Sequence, residues 1–189
     1  MKNGEQVFQE ENIFFADSNV LSVFSWPLLA GNPQTALIDP YSAVITEKTA
    51  KKYFGNENPI GKTLEGGSSG GRGDEGVYKV TGVLKDIPAN SHFTFDALMS
   101  MSSFRKSRAD VFDQWGYVDF YTYFLTEPHV DIKKLTAKIP SFLARHNATE
   151  NGRYTIAFES LKDAYLHSSA DRQPGTTGNL SSIYLFTVI

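Results

Sequence analysis

The sequence predicts an α+β fold in which a lobe of mixed strands and helices is followed by a smaller β-α-β unit. The chain has 189 residues, 41% of them hydrophobic, which is enough for one full core or for two small lobes. Most of the first half consists of short alternating strands and capped helices, whereas the second half has a strand, helix, strand order. A polar segment over residues 102–113 separates the two patterns and predicts a boundary between lobes.

The first lobe begins with a predicted strand over residues 7–16, which is rich in apolar and aromatic side chains at its end. Asp17 follows as a predicted N-cap of a short helix. Asn32 is a second predicted N-cap, and Pro33 occupies the first helical position, where proline is favoured. The sequence therefore predicts a strand and two short helical segments before residue 40.

The best-defined helix follows a short buried strand at residues 43–45. Thr46 is a typical N-cap residue, and Glu47 places a negative charge in the first turn, where the helix dipole favours it. Gly55 is expected to end the helix because glycine adopts the left-handed conformation at low cost. A short strand is predicted next, near residues 62–64.

A hairpin is predicted for the end of the first lobe. The glycine-rich residues 66–73 predict a flexible loop, since ordering so many glycines costs much conformational entropy. Residues 77–84 alternate as a strand does, and residues 88–91 form a predicted turn. Residues 93–99 are the predicted partner strand.

The second lobe is predicted from a strand at residues 118–124, a helix at 131–145 and a strand at 154–158. Pro140 is expected to kink the helix or to end its regular part. A single crossover helix covers only one face of a sheet, so the aromatic rows of these strands need a further partner. The helix carries its apolar residues at spacings of three and four: Ile132, Leu135, Ile139 and Phe142.

The predicted domain boundaries are 1–106 for the first lobe and 107–182 for the second. The last residues, 183–189, form a rising apolar run. Two interpretations of this run are open from composition alone: a C-terminal strand, or the start of a membrane helix.

Composition argues against several function classes. The chain has no cysteine, which excludes disulfides, thiolate metal sites and cysteine nucleophiles. Its net charge of −3 gives no indication of nucleic-acid binding, which would need clustered lysine and arginine. The four histidines do not have metal-ligand spacing, and no nucleophile–base pair is recognisable. We therefore expect no catalytic, cofactor-binding or metal-binding residues, and no enzyme activity.

One segment, Gly61-Lys62-Thr63, invites comparison with a phosphate-binding loop. That loop requires a glycine five residues before the Gly-Lys pair, and Gly55 is one residue too far away. The order of elements is also inverted, because a helix precedes the segment and a strand follows it. The sequence thus disfavours nucleotide binding here.

The aromatic residues of the second lobe are the remaining functional candidates. Tyr117, Tyr121 and Tyr123 would share one strand face with Asp119, and such mixed polar and aromatic surfaces are enriched at protein interfaces. The alternative is an ordinary core. Both interpretations are open from the sequence.

The order of several short segments resembles the extracytoplasmic core domain of MacB-like, FtsX-like ABC transporter permeases. The resemblance is carried by residues 15–19, 23–31, 46–47, 50–55, 59–62, 80–83 and 86–93. It implies that residues 6–105 are an inserted lobe and residues 117–161 a porter-like β-α-β unit. By the same resemblance, we expect the first such unit, which this family has before the inserted lobe, to be missing from this chain. Residues 183–189 would then begin a truncated membrane helix.

The resemblance also implies partners and a location. Such domains lie in the periplasm as part of a permease in the inner membrane. A cytoplasmic ATPase subunit or domain would drive motion of the outer domain against a periplasmic adaptor protein or a cargo, and the permease would form a homodimer or heterodimer. Efflux, lipoprotein extraction and regulatory signalling all occur in the family. The alternative is a stand-alone periplasmic ligand-binding or sensor domain.

Overall fold

The computed structural model divides the chain into unit 1, Met1–Asp113, and unit 2, Gln114–Ile189. The boundary predicted after residue 106 lies a few residues before this division. None of the helices in the described part of the chain is long and apolar enough to cross a membrane. The structure describes residues 1–3, 6–7, 10, 12–66, 76–115, 117, 119–146, 156–168, 173–175 and 178.

Unit 1 is built on one mixed sheet of eight strands. In chain order they are β1 (Lys2–Asn3), β2 (Gln6–Val7), β3 (Ile13–Ala16), β4 (Leu28–Gly31), β5 (Ser42–Thr46), β6 (Thr63–Gly66), β7 (Gly76–Leu84) and β8 (Ala97–Ser100).

The strands follow the spatial order β2-β1-β6-β7-β5-β8-β3, and β4 pairs with the C-terminal part of β7. β5 runs parallel to β7 and β3 runs parallel to β8, whereas the other pairs are antiparallel. The mixed sheet and its helices confirm the predicted α+β class.

The helices of unit 1 are α1 (Val20–Val23), α2 (Glu47–Phe54), α3 (Met101–Ser107) and a short 3-10 helix (Ala109–Phe112). The ends of α2 agree with the sequence. The Thr46 side chain accepts a hydrogen bond from the Thr49 backbone N–H, and Gly55 ends the helix with a φ of 61°. Asp86, from a distant loop, adds a second cap because its Oδ1 accepts a hydrogen bond from the Lys48 backbone N–H at 2.8 Å.

Apolar side chains cover both faces of the sheet. Tyr53 and Phe54 of α2 pack in one cluster with Ile45, while Val44 belongs to a second cluster with Leu98. Neighbouring residues of β5 therefore point to opposite faces, as the pleat requires. All five residues of β5 are buried, because this strand lies between β7 and β8 and is covered on both sides.

Several strands differ in extent from the predictions. The strand predicted at 7–16 is observed as β2 and β3, and the strand predicted at 93–99 is observed only as β8. The predicted hairpin of this strand with β7 is wrong, because β5 lies between β7 and β8 and β8 pairs with β5 and β3. Strand β4 was not predicted at all. Residues 67–73 of the predicted glycine-rich loop lie outside the described residues.

Unit 2 contains two short helices, α4 (Ile132–Thr136) and α5 (Ile139–Arg145). Asp131 caps α4, since its Oδ1 accepts a hydrogen bond from the Lys134 backbone N–H at 3.2 Å. Pro140 lies in the first turn of α5. The single helix predicted over residues 131–145 is thus divided just before its proline, as expected.

The described residues of unit 2 do not form the two predicted strands. Residues 119–127 and 156–160 have no regular secondary structure, and residues 154–155 lie outside the described part. Alternating side chains indicate which face of a strand could be buried, but a strand also needs backbone hydrogen bonds to a neighbour. The β-α-β arrangement is therefore not observed in these residues. The apolar run at 183–189 also lies outside them.

Candidate interaction surface

The three tyrosines predicted as an interface lie in unit 2, in a segment without regular secondary structure. Tyr121 is 46% exposed, whereas Tyr117 and Tyr123 are half-buried. Because no strand holds this segment, the period-two alternation does not place the three rings on one face. Their role as an interface stays a prediction.

The hydroxyl of Tyr123 is perturbed by its surroundings. Burial, with a smaller contribution from Tyr121, raises the pKa of Tyr123 to about 12. The phenol is therefore neutral near physiological pH and cannot act as a base. Tyr117 packs its ring 5.3 Å from that of Phe120. The chemistry of these side chains is that of packing and hydrogen bonding.

Two apolar side chains next to these tyrosines are more exposed than the tyrosines themselves. Leu125 is 76% exposed and Phe124 is 65% exposed. Exposed apolar side chains that form a contiguous patch commonly mark a contact with another molecule, whereas single ones are ordinary on a protein surface. We call the following set the apolar surface of unit 2: Trp115, Phe120, Tyr121, Phe124, Leu125, Val130, Ile132, Leu135, Ile156, Leu161 and Tyr165.

Helix α4 shows why the sequence did not identify this surface. The spacing of Ile132 and Leu135 predicts an inward stripe, yet they are 38% and 36% exposed. In α5, by contrast, Leu143 is buried. Periodicity reveals which face is apolar but not whether the same chain covers it. The sequence did offer one indication of this surface, because a single helix could not cover all the aromatic side chains of the predicted strands.

Trp115 is anchored at the start of unit 2. Its ring lies 4.3 Å from the stacked His146 ring and 5.5 Å from Phe142, both at the end of α5. Almost half of its surface is nevertheless exposed. Trp26 of unit 1 is likewise a packing residue, stacked on Phe24 at a centroid distance of 4.5 Å.

The charged groups offer little for catalysis or metal binding. Within the described ranges, no three His, Cys, Asp or Glu side chains come together as a metal ion would require. An open depression at the C-terminal end of α2 contains Lys51, Lys52 and Lys62. Lys52 pairs with Glu10 and Lys62 with Glu57, so two of these three charges are already matched.

The structure around Lys62 does not have the geometry of a phosphate-binding loop. Helix α2 precedes Gly61 and strand β6 follows Lys62, which is the inverted order that the sequence predicts. Gly61 donates its backbone N–H to the Val80 carbonyl at 2.8 Å. A phosphate cradle needs free amides at a helix start, and this geometry does not provide them.

A comparison with protein families matches residues 1–142 to the MacB-like periplasmic core domain. A comparison with curated proteins gave no match. The family match spans all of unit 1 and continues into α5.

Three solved structures are similar to this chain. A domain described as that of a permease protein from Porphyromonas gingivalis is 23% identical, with a TM-score of 0.49. The periplasmic region of MacB from Actinobacillus actinomycetemcomitans is 15% identical, with a TM-score of 0.44. The extracellular domain of the noncanonic ABC-type transporter YknZ from Gram-positive bacteria is 20% identical, with a TM-score of 0.35.

The similarity to these structures is partial on both sides. It covers 72%, 69% and 49% of this chain, in the same order. It covers 59%, 55% and 44% of the three solved chains. The chain thus spans less than two thirds of the length of the structures that it matches.

Proposed function

Since the chain belongs to the MacB-like periplasmic core domain family, we propose that it is the outer domain of an ABC transporter permease held in the inner membrane. In this proposal a cytoplasmic ATPase subunit or domain hydrolyses ATP, and the permease transmits the resulting motion to the periplasm. The outer domain then contacts an adaptor protein or a cargo, and two permease chains assemble as a dimer. The work of this domain is mechanical, with no reaction of its own.

The observation that carries this proposal is the apolar surface of unit 2. Exposed Phe124 and Leu125 cost free energy in water, about 25 cal/mol for each Å² of apolar area left uncovered. A further surface that covers them would recover this free energy. Apolar and aromatic residues of this kind also supply most of the energy at protein interfaces.

The composition of the site supports a contact function over a chemical one. The described residues of unit 2 place aromatic and aliphatic side chains where water reaches them, and the raised pKa of Tyr123 keeps the hydroxyl of this residue neutral. A mixed aromatic surface of this type binds through shape and burial. Transport by a permease requires contacts of this kind between moving parts.

The test uses the full-length parent protein in its own membranes. We expect the parent to fractionate with the membrane and to co-purify with an ATPase, or to contain an ATPase domain itself. Leu125→Asp should leave that association unchanged and should reduce periplasmic cross-links from unit 2 at least about tenfold, as for a central interface residue. Thr126→Asp, at the exposed neighbouring residue, is the matched control for the added charge.

Two outcomes would contradict the proposal. A parent protein found in the soluble periplasmic fraction, without an ATPase, would favour the stand-alone ligand-binding or sensor domain instead. Equal cross-linking of the Leu125→Asp and Thr126→Asp variants would show that the apolar surface of unit 2 is not the contact.

A further inference from the structure

Opposite charges are segregated along one stretch of unit 2. Residues 119–131 carry acids but no lysine or arginine, and residues 132–145, which include α4 and α5, carry bases but no acid. We call the first range the acidic segment and the second the basic helices. All of these charged side chains are exposed: Asp119, Glu127, Asp131, Lys133, Lys134, Lys138 and Arg145.

The two groups of charges neutralise each other only in part within the chain. An Asp131 carboxylate oxygen lies 3.9 Å from Lys134 Nζ, in an exposed pair one helical turn apart. No ion pair joins Glu127, Lys133 or Lys138 to another residue that the structure describes. A surface with such separated charges attracts a surface that carries the reverse arrangement.

The same two ranges carry most of the apolar surface of unit 2. Seven of its residues belong to them: Phe120, Tyr121, Phe124, Leu125, Val130, Ile132 and Leu135. At about 200 Å² for a whole aromatic side chain, the exposed parts of the three rings amount to about 300 Å² in each copy. Covering these rings in two copies removes about 600 Å², which is half of what a small specific interface buries. The four aliphatic side chains add to this area, so the surface is large enough for a weak dimer.

We propose that the apolar surface of unit 2 binds a second copy of this chain, with the acidic segment of each copy against the basic helices of the other. A two-fold axis makes the two contacts equivalent, so each dimer contains the charge attraction twice. The second copy is the occupant that the charges favour, because it presents both signs beside the same apolar side chains. This inference rests on the proposed function, in which two permease chains form a dimer, and it names the surface that joins their outer domains.

Sedimentation velocity of the 189-residue chain measures this association directly. At low salt we expect a monomer–dimer equilibrium with a dissociation constant in the micromolar range, as for other small interfaces. Raising the ionic strength from about 0.05 M to about 0.5 M should weaken the dimer at least about threefold, because salt screens exposed charges. Leu125→Asp should weaken it at least about tenfold, whereas Thr126→Asp should change it little.

Charge reversal tests the arrangement of the two copies. One variant, Asp119→Lys/Glu127→Lys, makes the acidic segment basic, and a second, Lys133→Glu/Lys138→Glu, neutralises the basic helices. Each variant alone should associate at least about tenfold more weakly than the wild type, because both contacts in its dimer lose their attraction. An equimolar mixture of the two should associate at least about fivefold more tightly than either alone. In the mixed dimer, the unaltered acidic segment of one copy meets the unaltered basic helices of the other. Lys162→Glu, at an exposed lysine outside both ranges, is the control and should leave association unchanged.

Three results would overturn this inference. A chain that stays monomeric up to about 100 μM at low salt would assign the apolar surface to another protein or to another part of the parent chain. Reversal variants that dimerise like the wild type would exclude the charge attraction, and a mixture no tighter than its components would exclude the reciprocal contact. Circular dichroism shows whether each variant is folded, and the salt dependence of the wild type tests the attraction without any substitution. Membrane fractionation and co-purification of the parent with an ATPase test the proposed function, so the two can fail separately.

Discussion

Replacing Gly31 by alanine is expected to destabilise unit 1 far more than the same change at Gly61. Both glycines have positive φ angles, +100° at Gly31 and +85° at Gly61. An alanine in this region costs about 1–2 kcal/mol at either position. The surroundings differ, however. A Cβ on Gly31 would lie 2.4 Å from the Thr81 carbonyl oxygen, whereas nothing lies within 4 Å of a Cβ on Gly61.

The clash at Gly31 cannot be relieved by a side-chain movement. Gly31 pairs with Gly82 where β4 meets β7, and the obstructing atom belongs to the backbone. Thr81 is also fixed, since its hydroxyl shares its single hydrogen between the Ala36 carbonyl, 2.6 Å from Oγ1, and the Ala43 carbonyl, 3.1 Å away. Alanine at position 31 must therefore push β4 away from β7, at a further cost of about 1–3 kcal/mol. We expect a difference of about 2 kcal/mol between the two variants.

Urea unfolding followed by tryptophan fluorescence measures this difference. The chain has two tryptophans, Trp26 in unit 1 and Trp115 in unit 2. In a Trp115→Phe background, Trp26 alone reports unit 1. A difference of about 2 kcal/mol corresponds to a midpoint shift of about 1 M urea. Equal midpoints for Gly31→Ala and Gly61→Ala would refute the close approach of β4 to β7.

Two further predictions use the same reporters. Asp86→Ala should lower the free energy of unfolding of unit 1 by about 1 kcal/mol, read from Trp26, because the Lys48 N–H loses its acceptor. Asp86→Asn keeps a side-chain oxygen and should retain most of this stability. Equal losses in the two variants would contradict capping by Asp86. The pKa of Tyr123 is raised from 10.0 to about 12, so its stabilising contribution is present below pH 10.0 and is lost as the pH rises towards 12. Unfolding followed by the emission of Trp115 should show stability falling at alkaline pH in the wild type, and falling less in Tyr123→Phe. Identical dependence of stability on pH in the two proteins would show that other groups cause the loss.

Helix α2 could be predicted from the sequence because its signals are local. Thr46 at the N-cap, Glu47 in the first turn and Gly55 at the end are adjacent in the chain, and each acts on the nearest backbone groups. Pro140 could be placed at a helix break for the same reason. The proline ring and the missing N–H act on the backbone within one turn.

Features that depend on distant partners could not be predicted in this way. Strand β4 exists because it pairs with β7, more than forty residues away, and its own residues have no strong strand propensity. The Tyr41 N–H donates to Ser103 Oγ of α3 at 2.7 Å, and this contact fixes the loop before β5. From the sequence, that loop appears only as a break between two elements. The Asp86 cap is non-local as well. Nothing near Asp86 in sequence indicates the helix that it serves.

The tyrosines of unit 2 show the opposite case, in which the local sequence pattern predicts a strand that the described residues do not form. Residues 118–124 alternate as well as β7 does, yet only β7 has neighbouring strands on both sides. Alternation selects a side chain for each face, whereas pairing depends on backbone groups elsewhere. Tyr117, Tyr121 and Tyr123 could therefore be proposed as an interface from their chemistry, but their exposure could not be predicted.

Several of the segments that carry the family resemblance lie at the ends of α2 and along β7, and the observed roles of their residues are structural. Thr46 caps α2, Gly55 ends it, and Gly61 turns the chain towards β6. Because these residues fix backbone geometry, the family match identifies a scaffold and says nothing about a cargo. Among the described residues, the large apolar side chains that this scaffold leaves exposed lie mainly in unit 2, which is where our proposal places the contact with a partner.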